Sequence, residues 1–324
     1  MRHLNKPVLA LCVLLSIACG MPAWAQWSPA KPIRLIMPYN PGGSGDITMR
    51  IISDRLAQAL GQPLVMDYRG GAGGVIGTDA GARAPADGYS LVFGSDAPFT
   101  IIPHLQKVAY NPVRDFEHVS LIANVPLVLV VHPSVPAQSV QELIAIAKSR
   151  PGQLTVGSNG NGSSGHLAGE LLKSEARLDI VHVPYKGQAQ VVTDLVGGQV
   201  TMVFSSVGPV EQHIKAGKLR AIAAASTTRF AGMPSVPTLA ESGVPQFNIG
   251  VWLGILAPLG TPKPVIARVN AEISKVLAVP EVRERFATLG YEAVGGDPGL
   301  LRDRIEADFQ KWGKLIREAN IKAE

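Results

Sequence analysis

From Ile33 to Leu60 the chain carries an apolar stretch, Ile33-Arg34-Leu35-Ile36-Met37-Pro38, then Tyr39-Asn40-Pro41-Gly42-Gly43-Ser44-Gly45-Asp46, then a segment with Ile52, Leu56 and Leu60 at helical spacing. This order predicts strand, glycine-rich turn and helix, with Gly61 placed to close the helix. Glycine lets the backbone bend sharply and brings its N–H groups close to a ligand. A helix start adds unpaired N–H groups and a positive dipole end. Together they make a place for an anion such as a carboxylate. The alternative is a tight strand-to-helix turn that needs glycine and binds nothing.

The pattern repeats. Leu64 to Tyr68 predicts a second strand, Arg69-Gly70-Gly71-Ala72-Gly73-Gly74 a second glycine-rich turn, and Val75 to Ala84 a short helix. Ser90 to Ser95 predicts a third strand, ending in Ser95-Asp96-Ala97. Repeated strand–helix units predict a mainly parallel sheet flanked by helices, with ligands beyond the carboxyl ends of the strands. The second turn comes near a dinucleotide fingerprint but lacks its spacing and its acidic partner, so close chain packing is the better reading.

A second series follows. Val125 to His132 predicts a buried strand. Helix 139–149, strand 154–158, loop 159–165, helix 166–176, strand 180–183, helix 188–197 and strands 200–204 and 219–223 come next. Ile249 to Leu256 predicts a return strand. Thr261 is placed to cap a helix with Pro262 in its first turn, and two more helical segments, 281–289 and 298–319, end the chain. Three helices in succession add little to a parallel sheet, so they are expected to pack back on the first unit. The chain then crosses between two lobes twice, near 122–127 and 247–253, a natural hinge. The expected division is 26–124 plus 250–324 for lobe 1 and 125–249 for lobe 2.

Length fits that division: 324 residues suffice for two modest domains. Residues 1–25 read as an export signal, with Arg2 and Lys6, an apolar run over Val8–Ala18 and Ala23-Trp24-Ala25 before the cleavage point at Gln26. The other option is lipoprotein processing at Cys19, though the preceding Ser16-Ile17-Ala18 lacks the usual leucine. Both cysteines, Cys12 and Cys19, fall in this segment, so the mature chain has no disulfide and no thiol chemistry. The mature chain keeps 28 basic against 25 acidic side chains. The basic residues are scattered, which argues against nucleic acid as a partner.

Loop 159–166 mirrors loop 39–46: it follows a strand, precedes a helix and is built from Gly, Asn and Ser. Ser163 or Ser164 can cap the helix or give its hydroxyl to a bound carboxylate. Asp46 can cap its helix or fix the loop and a water. The residues offer little to catalysis. Ser163 has Asn161 two before it, so no nucleophile elbow forms. Spacing implies no acidic partner for His166 or His182, and no metal-binding histidine pattern occurs. No enzyme, metal or cofactor is expected.

Pro38-Tyr39-Asn40-Pro41-Gly42-Gly43 with Asp46, Gly70 to Gly74, Ala86-Asp87-Gly88-Tyr89, His182-Val183-Pro184-Tyr185-Lys186-Gly187, Asp194 to Gly198, Val236 to Leu239, and Trp252 with Ala257 to Pro262 make the chain resemble the Bug family. These are the TctC-like solute-binding receptors of tripartite tricarboxylate transporters. The resemblance covers nearly the whole mature chain. It implies an α/β, two-lobed periplasmic binding protein fold (type II-like), monomeric, that closes on a small organic acid and presents it to membrane permease subunits. The ligand-binding set it implies is Tyr39, Asn40, Gly42, Gly43, Asp46, Ser95, Ala97, Asn159, Gly160, Ser163, Ser164, Tyr185 and Ser205.

One position departs. After the strand 200–204 the family often has an aspartate, and here stands Ser205. Serine removes a charge that would favour a ligand cation and repel a second carboxylate. The ligand is therefore expected to be a dicarboxylate, hydroxy acid or aromatic acid rather than an amino acid. Two other roles remain open: a sensor whose closed form docks on a signalling receptor, and a secreted hydrolase.

Overall fold

The computed structural model describes residues 27–322 apart from 231, 246 and 319. The export signal read from residues 1–25 lies outside the described residues. In chain order the elements are β1 (Ile33–Met37), α1 (Ser44–Leu60), β2 (Leu64–Tyr68), α2 (Val75–Ala82), β3 (Ser90–Ser95), α3 (Ile102–Leu105), β4 (Phe116–Val131), α4 (Val140–Ser149), β5 (Thr155–Ser158), α5 (Ser164–Ala176), β6 (Val181–Pro184), α6 (Gln188–Val196), β7 (Met202–Ser206), α7 (Val207–Lys215), β8 (Arg220–Ala224), β9 (Gly250–Pro258), α8 (Lys263–Leu277), α9 (Pro280–Thr288), β10 (Glu292–Ala293) and α10 (Gly299–Glu318).

The sheet runs β2-β1-β3-β9-β4-β7-β5-β6, with β8 and β10 also paired to β4. β2-β1-β3 and β7-β5-β6 are parallel, as the alternating pattern requires. β3 is buried along its whole length, the signature of a strand covered on both faces. The centre is antiparallel: β9 pairs with β3 and β4, and β4 with β7 and β8. The sheet is therefore mixed, because the two strands that carry the chain between lobes run past each other in opposite directions.

β4 is one long strand. It pairs with β9 from Phe116 to Pro126 and with β7 from Leu127 to Val131, so a single element belongs to both lobes. One apolar cluster joins β1, α1 and α8 through residues such as Ile33, Leu35, Ile52, Leu56 and Ile273. Another joins β4, α4, α5 and β7 through Leu129, Leu143, Leu167, Leu171 and Phe204. α8 lies on the first unit, as expected. α10 does not stay there. Leu301 and Ile305 pack with Phe99 and Trp252, whereas Trp312 and Ile316 join the second lobe's cluster. A helix of 20 residues spans roughly 30 Å, long enough to bridge the two.

Gly61 ends α1 in the left-handed conformation, its N–H bonded to the Ala57 and Gln58 carbonyls, as the spacing predicted. The start of α8 differs. Its cap position is Pro262 and the helix begins at Lys263, with Pro264 in the first turn. The Thr261 hydroxyl instead donates back to the Pro258 carbonyl at 2.7 Å, so it serves the preceding turn. No helix among the described residues is long and apolar enough to cross a membrane.

Candidate functional site

Four helices start at one cleft. Its walls include Gly43 to Asp46 at the start of α1, Ser163 to Gly165 at α5, Gly187 and Gln188 at α6, and Ser205 and Ser206 just before α7. The floor is apolar, from Met37, Phe93, Leu127 and Phe204. The cleft has a free volume of about 80 Å³. One water needs roughly 10–15 Å³ on that measure, so the space suits a small organic molecule.

Tyr39, Asn40, Gly43, Asp46, Ser95, Ala97, Asn159, Ser163, Ser164 and Ser205 all line it. Around α1 the turn is shaped by two demands. A Cβ on Gly45 would lie 2.7 Å from the Phe93 ring, so only glycine lets the helix start sit on β3. Gly42 has φ +94° and gives its N–H to Asp46 Oδ2 at 2.9 Å. Gly42 is outside the lining, and its N–H is used inside the turn. The Asp46 carboxylate also accepts from Tyr68 Oη at 2.6 Å and Arg50 Nε at 3.0 Å. Burial would push this carboxyl up, but the bonds from Tyr68, Gly42 and Arg50 together hold it below the usual range. Asp46 therefore fixes the loop rather than capping the helix; the cap position is Gly43, with no side-chain bond.

The two serines of the opposite loop divide the work. Ser163 caps α5, its Oγ accepting from the His166 N–H at 3.2 Å. Ser164 reaches across the cleft and donates to Asp96 Oδ2 at 2.5 Å. Beneath them Gly162 N–H donates to His166 Nδ1 at 3.1 Å, and the His166 and His182 rings stack with centroids 4.1 Å apart. Burial, then the neighbouring His182, pushes His166 down to about 3, so it is neutral and holds the loop as an acceptor. Replacing Ser163 with alanine should lower folding stability by about 1 kcal/mol, read by denaturant melts, with less effect on ligand affinity than the same change at Ser164.

Gly160 and Tyr185 do not line the cleft. The Gly160 N–H donates to the Ser158 hydroxyl oxygen at 3.2 Å, turning the loop inward on itself. Tyr185 packs its ring against the Val128 and Val191 cluster, and burial together with a hydrogen bond to Asp194 pushes its hydroxyl up to about 12. From that loop the cleft takes Lys186, Gly187 and Gln188 instead. The Ser205 hydroxyl is already engaged: it donates to the Ser206 carbonyl at 2.8 Å and accepts from Gln188 Nε2 at 2.9 Å. The second glycine turn packs on the first, since a Cβ on Gly74 would lie 2.9 Å from Tyr39 Cζ.

Sequence reasoning missed Asp96. It is 1% exposed, lines the cleft and follows Ser95, whose Oγ is 2.8 Å from Tyr39 Oη. Burial pushes its carboxyl up to about 7, against hydrogen bonds from Ser164 and the Ala97 N–H and with Asp308 adding to the rise. No cluster of potential metal ligands occurs among the described residues.

Residues 48–321 match the model of the tripartite tricarboxylate transporter family receptors. The chain is 39% identical to protein BugT of Bordetella pertussis over 303 residues, covering 93% of each. Among solved structures it is similar to Rpa4515 of R. palustris with adipate (33% identity, TM-score 0.88, 91% of this chain and 99% of that one). It is also similar to MatC of Rhodopseudomonas palustris with bound malate (30% identity, TM-score 0.85, 89% and 99%).

Proposed function

From the premise that the chain belongs to the tripartite tricarboxylate transporter receptor family, we propose that it captures a small carboxylate-bearing organic acid in this cleft and delivers it to a membrane permease. The observation that carries the reading is the convergence of four helix starts on one cleft. Each offers unpaired N–H groups and a positive dipole end to an anion. The adipate and malate held by two relatives support a dicarboxylate or hydroxy acid as ligand. The protein acts in the periplasm, exported by residues 1–25, as a monomer that performs no catalysis.

In this reading 26–124 plus 250–324 forms one lobe and 125–249 the other, and the pair hinges on β4 and on the approach to β9. One carboxylate sits on the N–H groups at Gly43 to Asp46, near Tyr39, Asn40 and the Ser95–Ala97 strand end. Closure adds Asn159, Ser163, Ser164 and Ser205 from the other side. Only interactions made in the closed form and missing from the open one can drive closure. The Ser164–Asp96 bond is one of them. A hydrogen bond between neutral groups contributes roughly 0.5–1.5 kcal/mol, so Ser164→Ala should weaken binding by about 2- to 10-fold, measured by calorimetry.

A thermal-shift panel on residues 26–324 tests the role. A ligand that binds only the native state raises the melting point. Dicarboxylates or hydroxy acids should shift it, and amino acids should not. A flat response to mono-, di- and tricarboxylates and aromatic acids alike would sink the reading.

A further inference from the structure

The cleft that gathers four positive helix ends also holds a buried carboxyl. Asp96 lines it, is 1% exposed, and receives the Ser164 hydroxyl from across the cleft. No lysine or arginine hydrogen-bonds to it among the described residues. Arg304 of α10 lies near, but its Nε is 2.7 Å from Asp308 and its Nη1 is bonded to Asn124. The other titratable groups around Asp96 do not balance it either. Asp308 carries the same sign. Tyr39 and Tyr110 keep their protons, because burial pushes both hydroxyls up. His166 of α5 is neutral. Asp46 on the facing wall is held by Gly42, Tyr68 and Arg50. Lys186 is the cation on the cleft wall, and it is exposed to solvent.

An ionised Asp96, buried at the cleft wall, would repel a dianion brought into so small a space. The absence of an aspartate at position 205 then brings the ligand no relief, because a carboxyl enters from the opposite strand end instead. Both facts are reconciled if the Asp96 carboxyl is an acid when the cleft is filled.

We propose that Asp96 is the specificity-determining residue of the cleft: it holds a proton in the complex, donates it as a hydrogen bond to a ligand oxygen, and so makes capture of a dicarboxylate proton-linked. This rests on the organic-acid reading above and deepens it. The proton comes from solvent, and no bond other than the carboxyl O–H forms or breaks. The carboxyl sits near half-protonation at neutral pH in the empty protein. A second carboxylate beside it raises the proton affinity further. As pH rises above about 7, each dianion therefore brings an increasing fraction of one proton with it. An ammonium group would favour the ionised form, so its binding should release a proton rather than take one up.

The test is calorimetry of adipate and of malate in buffers of different ionisation enthalpy, at about pH 6, 7 and 8.5, on the native protein and on Asp96→Asn. Proton uptake should rise from a small fraction at about pH 6 toward one at about pH 8.5, with affinity falling up to about tenfold per pH unit above neutrality. Asp96→Asn keeps the shape and a donor; it should bind with no proton uptake and a flat pH profile. Binding of either acid without uptake at any pH, or with uptake unchanged in Asp96→Asn, would overturn the inference and leave the organic-acid reading standing. Tighter binding of glutamate than of adipate, with no uptake, would overturn it too. Absence of heat with both acids at every pH would remove this inference, and an unshifted thermal panel would remove the wider reading as well.

Discussion

Gly73→Val should weaken organic-acid binding by at least about 100-fold while the protein stays folded. Gly73 lines the cleft on the first lobe's glycine turn and has φ +64°. A Cβ there would lie 2.5 Å from Ile102 Cδ1 and 3.1 Å from the Asn161 carbonyl oxygen. Ile102 is the end of a flexible side chain and can yield. Asn161 is backbone, and it belongs to the opposite loop. The valine branches make that approach worse, so the closed form bears a clash that the open form escapes by separating the loops. Both forms bear the left-handed strain of a residue with a Cβ, about 1–2 kcal/mol, which should lower the melting point by only a few degrees. A ligand can draw the protein shut only by its differential affinity for the closed state. Titration calorimetry with adipate or malate, beside a thermal melt, reads the two effects separately. Native-like affinity in Gly73→Val would mean that the ligand is held by one lobe alone.

Asp96→Asn should make the empty protein more stable at pH 8 than the native chain, by a few kcal/mol, and leave it little changed near pH 4. The Asp96 carboxyl is raised from 3.8 to about 7 by burial in the folded state. The sign follows from proton counting: between those values the folded protein binds a proton that the unfolded chain has lost. The native chain therefore holds this stabilisation in full below about pH 4 and loses it as pH climbs to about 7. About three pH units at 1.36 kcal/mol each set an upper bound of roughly 4 kcal/mol. Asparagine has no charge to bury and can still accept from Ser164, so its stability should be flat over that range. Denaturant melts at several pH values give the answer. Parallel curves for the two proteins would show that Asp96 is solvated or paired in solution.

The strand-to-turn-to-helix order at 33–60 was legible because each local signal agrees with the next: apolar run, glycine turn, helical spacing, glycine stop. Loop 159–166 was legible on the same grounds, and ten of the thirteen residues expected at the ligand line the cleft. What escaped were effects of burial and register. Ser95-Asp96-Ala97 reads as a small polar loop, and nothing in residue order says that its aspartate is the buried one. Tyr185 was expected at the cleft, but it faces an apolar cluster and the next three residues line the site. α7 was missed because Gly208 and Pro209 look like breakers directly after a strand. Both sit in its first turn, where proline is tolerated. The first half of β4 was missed because its burial comes from β9, which lies more than a hundred residues further on.

A crystal structure of residues 26–324 grown with adipate is the most direct test of an organic acid gripped between lobes by convergent helix starts. The expected result is a closed protein with one carboxylate on the N–H groups of Gly43 to Asp46 and ligand oxygens within hydrogen-bond distance of the α5 start and of Asp96. A cleft occupied by water alone, or adipate bound on one lobe with the Ser164–Asp96 bond absent, would contradict it.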